Sequence, residues 1–254
     1  MQIIKDVTQW QEIRNSIMDK KLGFVATLGN LHDGHASLIN KSVLENDITI
    51  LSIFLNPTQF NNPQDLLNYP KTIDADIKLA ESLQVDYLLC FEAKQLYPDN
   101  YNYKVTENSA YGASMENEFR PNHFTGMLTI VLKLLLLTRP TKTYFGEKDY
   151  QQLTLVKGLV EAFLLETEVI ACPTIRNNKG FPLSSRNNLL TQGDLDKASI
   201  FSELLSSNLS ADEIKQNLSI DGFIVDYITE YENRIYGAVW LNGIRLIDNI
   251  RREI

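Results

Sequence analysis

The sequence is short of several things, and each shortage excludes something. Only 2 of its 254 residues are cysteine. Cys90 and Cys172 lie far apart in apolar, strand-like stretches, and no C-x-x-C pairs either one. That excludes a disulfide framework and a zinc ribbon, and two buried free thiols in a reducing compartment are expected. Long apolar runs are missing too. The most apolar stretch, Thr129 to Thr138, contains Lys133 and is half the ~20 residues that a membrane span needs. Met1 to Arg14 carries Asp6 and Glu12, so it lacks the apolar core of a signal peptide. A cytoplasmic chain without membrane partners is expected. There is no basic block either. Lys and Arg number 24 against 32 Asp and Glu, a net charge of −8. Nucleic acid is therefore not an expected partner.

What remains is an ordinary globular mixture, 44% hydrophobic and 22% charged, long enough to bury a core unaided. Strand-like and helix-like segments alternate. Lys5 to Lys20 has helical spacing in Val7, Trp10, Ile13, Ile17 and Met18. Leu22 to Leu28 reads as a buried strand, His35 to Glu45 as a helix and Ile48 to Leu55 as a strand. Thr72 to Leu83 follows as a helix, with Thr72 as its N-cap. Tyr87 to Phe91 is strand-like. His123 to Leu137 is an apolar helix stopped by Pro140. Thr143 to Phe145, Asp149 to Phe163 and Glu168 to Ala171 read as strand, helix and strand. Continuous apolar strands alternating with helices predict an α/β fold, a parallel sheet with helices on both faces.

After Pro173 the pattern changes. A turn-rich link over Asn177 to Gly180 leads to helices near Asp194 to Ser206 and Ala211 to Asn217. Strands are expected at Ile224 to Thr229, Gly237 to Leu241 and Ile244 to Ile247, with a type I′ hairpin at Asn242-Gly243. The expected division is a ligand-binding domain over 1–173 and a small α+β lid over 174–254.

The strongest local feature is Thr27-Leu28-Gly29-Asn30-Leu31-His32-Asp33-Gly34-His35. It leaves a buried strand and opens a helix. The glycines allow a tight turn, and the helix start behind them offers N–H groups and partial positive charge to a phosphate. His32 and His35 can donate to phosphoryl oxygens. Two histidines in a turn are commonly only solvated, so the setting between strand and helix is what gives them weight. A zinc site would need more: His123 is the only other histidine, and no cysteine lies nearby.

H-x-G-H in this place resembles the nucleotide-binding signature of the nucleotidylyltransferase and class I aminoacyl-tRNA synthetase superfamily. Other segments narrow the resemblance. They are Ser52-Ile53-Phe54-Leu55-Asn56-Pro57-Thr58-Gln59-Phe60, Tyr69-Pro70-Lys71-Thr72, Glu118-Phe119-Arg120-Pro121-Asn122-His123-Phe124-Thr125-Gly126, Tyr144 to Leu153, and Leu183-Ser184-Ser185-Arg186-Asn187. In this order, and with Arg245 to Asn249, they resemble the pantoate–β-alanine ligase family.

The resemblance implies a Rossmann-like sheet and a two-step reaction. ATP adenylates the pantoate carboxylate and releases pyrophosphate, and the β-alanine amine then displaces AMP. It implies that Leu28, Gly29, Asn30, Leu31, His32, Asp33, Gly34 and His35 hold ATP, with His35 as proton donor and His32 assisting. Gly146, Glu147, Lys148 and Asp149 resemble the second ATP segment, where Lys148 would place charge on phosphate. Leu183, Ser184, Ser185 and Arg186 would also meet phosphate, and Ile175 would offer its backbone to adenine. Gln59 and Gln152 would hold pantoate, and Gln59 would serve β-alanine too. His35, His32, Lys148 and Arg186 are thus the expected catalytic set. A homodimer and Mg2+ are expected, with the metal's protein ligands unassigned; the family's carboxylates lie near Asp74 and Asp76. Two departures stand out: Leu28 replaces the usual Met, and Asn122 the usual Gly. Arg120 and His123 would shape the pantoate pocket or order a loop.

Overall fold

The computed structural model describes residues 1–252. By contact it divides into two compact units. One comprises Met1–Gly146 and Gln151–Cys172; the other comprises Glu147–Tyr150 and the chain from Pro173 onward. The short segment Glu147–Tyr150, which the sequence places within 1–173, is thus counted with the second unit.

The first unit holds six parallel strands: β1 (Gln2–Ile4), β2 (Leu22–Thr27), β3 (Ile48–Ile53), β4 (Tyr87–Leu89), β5 (Lys142–Gly146) and β6 (Glu168–Cys172). Their order across the sheet is β1-β4-β3-β2-β5-β6. From β2 the chain moves one way to β3 and β4, and from β5 the other way to β6. The strand order therefore reverses between β2 and β5, and ligands of such sheets bind outside the carboxyl ends of the strands at that point. The turn that carries His32 and His35 leaves β2 there. Val25, Leu51, Leu88 and Tyr144 of the strands pack with Leu38, Ile39 and Ala80 of the helices as one buried cluster. Both cysteines are free; Cys172 is buried and Cys90 partly so.

Five longer helices accompany the sheet: α1 (Val7–Ser16), α2 (Asp33–Glu45), α3 (Ile73–Ser82), α4 (His123–Thr138) and α5 (Tyr150–Ala162). α1 is shorter than its periodicity predicts. Asp6 caps its start by accepting from Gln9 N–H at 2.9 Å, the helix ends at Ser16, and Met18 lies exposed instead of on the apolar face. α2 starts two residues earlier than expected because His32 is itself the N-cap. β1, only three residues long, had no readable pattern; it is an edge strand paired with β4.

In the second unit α6 (Gln192–Leu205) and α7 (Ala211–Ile220) pack with an antiparallel sheet of β7 (Ile224–Tyr231), β8 (Arg234–Leu241) and β9 (Ile244–Arg251). Thr191-Asp194 and Ser210-Glu213 form capping boxes at the two helix starts. Asn242 and Gly243 both have positive φ, 48° and 79°, as a type I′ hairpin requires. Phe181, Phe201, Leu205, Ile214 and Leu218 form its buried core with strand residues Val239 and Leu246. Among the described residues no helix is long and apolar enough to cross a membrane.

Candidate active site

The β2–α2 turn is built from the backbone outward. Thr27 Oγ1 donates to Ser52 O at 2.8 Å and accepts from Gly29 N–H at 3.3 Å. Gly29 and Asn30 follow with φ of 89° and 53°, a left-handed pair that glycine and asparagine tolerate best. The next two amides turn inward to one carboxylate: Asn30 N–H donates to Asp76 Oδ2 at 2.9 Å and Leu31 N–H to Asp76 Oδ1 at 2.8 Å. The Thr72 hydroxyl donates to Asp76 Oδ1 at 3.1 Å. Asp76 is 3% exposed. Thr72 does occupy the N-cap position of α3, yet its side chain makes no capping bond there; its hydroxyl proton goes to Asp76.

His32 and His35 close the turn reciprocally. His32 Nδ1 accepts from Gly34 N–H at 3.1 Å, and His35 Nδ1 accepts from His32 N–H at 3.3 Å. Their rings stand 4.1 Å apart, tilted by 42°. A ring nitrogen that accepts from an amide carries no proton, so each neutral imidazole holds its proton on Nε2. The sequence suggests a helix start with open N–H groups. At the helix start the amides of His32 and Gly34 are taken up by the two imidazoles, those of Gly29, Asn30 and Leu31 ahead of it are bound within the fold, and the imidazole Nε2–H groups add donors of their own.

A second polar cluster in the same unit surrounds Gln59. Asn56 is fully buried. Its Nδ2 donates to Gly126 O and to Gln59 Oε1, both at 3.1 Å. Its Oδ1 accepts from Tyr97 OH at 2.9 Å and from Thr58 Oγ1 at 3.0 Å. Burial pushes the Tyr97 phenol up to about 12, so it stays a neutral donor. Since Gly126 O can only accept, the Asn56 amide orientation is fixed, and with it that of Gln59, whose Nε2 is left as the donor end. His123 Nδ1 lies 2.8 Å from Gln59 O, while Nε2 lies 3.2 Å from Arg120 Nη1. Arginine only donates, so His123 accepts at Nε2 and donates from Nδ1. Arg120 also pairs with Glu116 at 3.3 Å. Arg120 and His123 therefore order the Gln59 loop. Asn122 takes φ 67° and ψ 1°, a left-handed conformation open to asparagine as to glycine.

The adjacent glutamines of α5 differ. Gln151 is buried and fully used, donating to Tyr111 O and Ser114 O and accepting from Glu116 N–H. Gln152 is half-buried and makes no side-chain hydrogen bond within the described residues. Gly146 ends β5, and a Cβ there would meet nothing within 4 Å.

The remaining predicted residues lie in the second unit. Asn249 Nδ2 donates to Glu147 O at 3.0 Å and to Lys148 O at 2.7 Å, fixing the peptides that carry Lys148. Arg234 donates to Asn249 Oδ1 and stacks 3.7 Å over the Tyr150 ring. Next to it Asp248 is gripped by both Nη atoms of Arg176 at 2.7 and 2.8 Å and by the Ser202 hydroxyl at 2.6 Å. The Arg245-to-Asn249 segment thus contributes a clamp. Lys148 lies 3.7 Å from Asp149. Ile175 O accepts from Leu183 N–H at 2.9 Å, so part of its backbone is already used. Ser184 caps the short turn Ser185–Leu189 through Arg186 N–H.

A model of the pantoate–β-alanine ligase family matches residues 2–251. The chain belongs to the pantoate–β-alanine ligase family. It is 54% identical over 248 residues to a pantothenate synthetase of Coxiella burnetii, covering 98% of this chain and 96% of that one. A Legionella pneumophila pantothenate synthetase is 46% identical over 250 residues, covering 98% and 99%. The crystal structure of the Francisella tularensis pantoate–β-alanine ligase, complexed with β-γ ATP and β-alanine, superposes with a TM-score of 0.95 at 44% identity, covering 99% and 97%. Membership in this ligase family makes the chain an enzyme, a ligase, on a Rossmann-like α/β fold with a small C-terminal domain.

The family resemblance places metal carboxylates near Asp74 and Asp76. Asp76 is buried and accepts three hydrogen bonds, and Asp74 is exposed. No group of three His, Cys, Asp or Glu able to hold a metal exists among the described residues. A magnesium ion carried by a nucleotide takes most of its ligands from phosphate and water. The residues here fit such a carried ion and do not fit an all-protein cage. Sequence reading missed Tyr97 as a support of Asn56, and Asp76 as the anchor of the histidine turn.

Proposed function

We propose that this pantoate–β-alanine ligase family member condenses pantoate with β-alanine through a pantoyl-adenylate. The pantoate carboxylate attacks the α-phosphorus of ATP, and pyrophosphate leaves. The β-alanine amine then attacks the acyl carbon, and AMP leaves. The observation that carries the reading is the paired imidazoles of His32 and His35 at the start of α2, each with Nδ1 committed to the backbone. Their Nε2–H groups and the helix start supply preorganised positive potential where charge builds on the leaving phosphates. His35 is proposed as the proton donor and His32 as its partner.

Leu28 to His35, Gly146 to Asp149, Ile175 and Leu183 to Arg186 are proposed to hold ATP, with Lys148 and Arg186 bringing cationic charge to the pyrophosphate. Gln59 is proposed to donate from Nε2 to the carboxylate or hydroxyls of pantoate and to serve β-alanine. The unpartnered amide of Gln152 is proposed to hold pantoate as well. Magnesium bound to ATP would screen the polyphosphate charge. Most of the rate enhancement then comes from positioning and electrostatics. A homodimer in the cytoplasm completes the proposal.

Exchange of pyrophosphate into ATP without β-alanine is the test. Exchange that depends on pantoate supports the adenylate, and its absence under all conditions overturns it. Replacing His35 by Ala should lower exchange by ~10²-fold or more, the scale of one lost transition-state donor. Near-normal exchange in that variant would remove His35 from its role.

A further inference from the structure

We propose that Asp76 is a positioning residue that latches the nucleotide turn, not a ligand of the nucleotide's metal. The proposal rests on the reading that Leu28 to His35 hold ATP. A carboxylate beneath a phosphate-binding turn is unfavourable by charge alone. It stands here because both of its oxygens are turned into the protein. Oδ2 takes Asn30 N–H at 2.9 Å, and Oδ1 takes Leu31 N–H at 2.8 Å and the Thr72 hydroxyl at 3.1 Å. With 3% exposure, its charge is compensated by these donors. Hydrogen bonds to a charged acceptor are the stronger kind.

The latch has a stereochemical task. Gly29 and Asn30 both have positive φ, and such a pair holds one shape only when its surroundings over-determine it. Two consecutive amides bound to one carboxylate supply that constraint. They also set where the chain enters His32, and so where the reciprocal His32–His35 cap begins. A Cβ on Gly29 would lie 3.3 Å from Asp76 Oδ2, so the turn rests directly on the carboxylate. Asp76 sits one turn into α3, anchored by a helix instead of a loop. Motion of the α3 start, where Thr72 and Asp76 lie, would pass to the histidines through these bonds.

The test is ATP binding by calorimetry to the full chain, in EDTA and again with magnesium, for the parent, Asp76→Asn and Thr72→Val. Asparagine keeps one acceptor and faces an amide N–H with its own NH2. The expected result is a loss of affinity of about tenfold or more in Asp76→Asn, equal with and without magnesium. Thr72→Val should show a smaller loss of the same kind. A loss seen only with magnesium would make Asp76 a metal ligand and overturn the latch. Unchanged binding in both conditions would overturn it as well.

Amide hydrogen exchange in the parent gives a reading that needs no nucleotide. Asn30 and Leu31 should exchange far more slowly than an open turn, and faster in Thr72→Val. Exchange at an open-turn rate in the parent would sink the latch even if Asp76→Asn does not fold. A parent chain that binds no ATP would overturn the nucleotide reading, and the exchange result would then decide the latch alone.

Discussion

Gly34 has no room for a side chain, although it sits in the first turn of a helix. A Cβ there would lie 2.7 Å from His32 Cε1 and 2.9 Å from His32 Nδ1. Alanine at 34 must therefore displace the His32 ring and break its bond to the residue 34 amide. Alanine is also the better helix former, by up to ~1 kcal/mol in a helix interior. Gly34→Ala should leave the thermal midpoint nearly unchanged, because the propensity gain is offset by the lost His32 cap, while pyrophosphate exchange falls by ~10-fold or more. A midpoint that drops together with activity would mean that Gly34 serves the fold instead. At this scale the histidine turn was legible, because its residues are contiguous and their chemistry is local. Asp76 and Tyr97 were not, since what they hold lies 45 residues away at Leu31 and 41 at Asn56. An aspartate in an acidic helix turn reads as solvated or metal-binding until its backbone partners are seen. For His123 and Arg120 the sequence offers two readings, pocket or loop, and their bonds to the Gln59 carbonyl tie them to the loop that carries Gln59.

Among the elements, α4 shows how a helix end becomes a tertiary anchor. Its apolar run and the following Pro140 predict a helix that stops near Leu137, and it runs to Thr138. Its last carbonyls are then captured by α1: Trp10 Nε1 donates to Leu137 O at 2.9 Å, Arg14 Nε to Thr138 O at 2.7 Å and Arg14 Nη2 to Arg139 O at 3.0 Å. Periodicity put Trp10 on the apolar face of α1, but nothing in α1 alone announces a guanidinium that caps another helix. Arg14 is buried, and burial, with Arg139 nearby, lowers its pKa from the ordinary arginine value. Replacing it by Leu keeps volume and removes the donors, leaving buried carbonyls unsatisfied. Arg14→Leu should cost ~2–3 kcal/mol in urea unfolding and speed amide exchange in the last turn of α4. A variant as stable as the parent would show that water satisfies those carbonyls. Elements that span several periods were legible in the sequence. The three-residue strand β1 and the short helices over Pro63–Asn68, Ala110–Ala113 and Glu116–Phe119 were not, because they hold less than two helical turns or one strand's worth of pattern.

For the whole molecule, 32 acidic against 24 basic side chains give a net negative charge that still leaves local positive sites free to form. The same excess sets its response to acid. Lowering the pH relieves general repulsion among carboxylates, yet it also removes those that are paired. Glu45 is the clearest of these. Oε1 accepts from Lys41 at 2.7 Å, and Oε2 accepts from Lys142 and the Tyr144 hydroxyl, both at 3.0 Å. The Lys41 hydrogen bond, followed by the one from Lys142, lowers its pKa from 4.5 to about 2. The three donors come from α2 and β5, so the cluster ties the end of a helix to the start of a strand beside β2. The folded chain binds this proton less readily than the unfolded one, so the pairing stabilises fully above pH 4.5. That contribution is lost as pH falls towards 2. Comparing the parent with Glu45→Gln by urea unfolding across pH isolates it from the general charge effect, which both share. The parent's advantage should be constant from about pH 8 to 6 and shrink steadily between 4.5 and 2. Added salt should reduce it in part, since the carboxylate is partly exposed. A difference that stays flat down to pH 2.5 would mean that the pairing carries no weight in folding, and that acid sensitivity arises from carboxylates elsewhere in the chain.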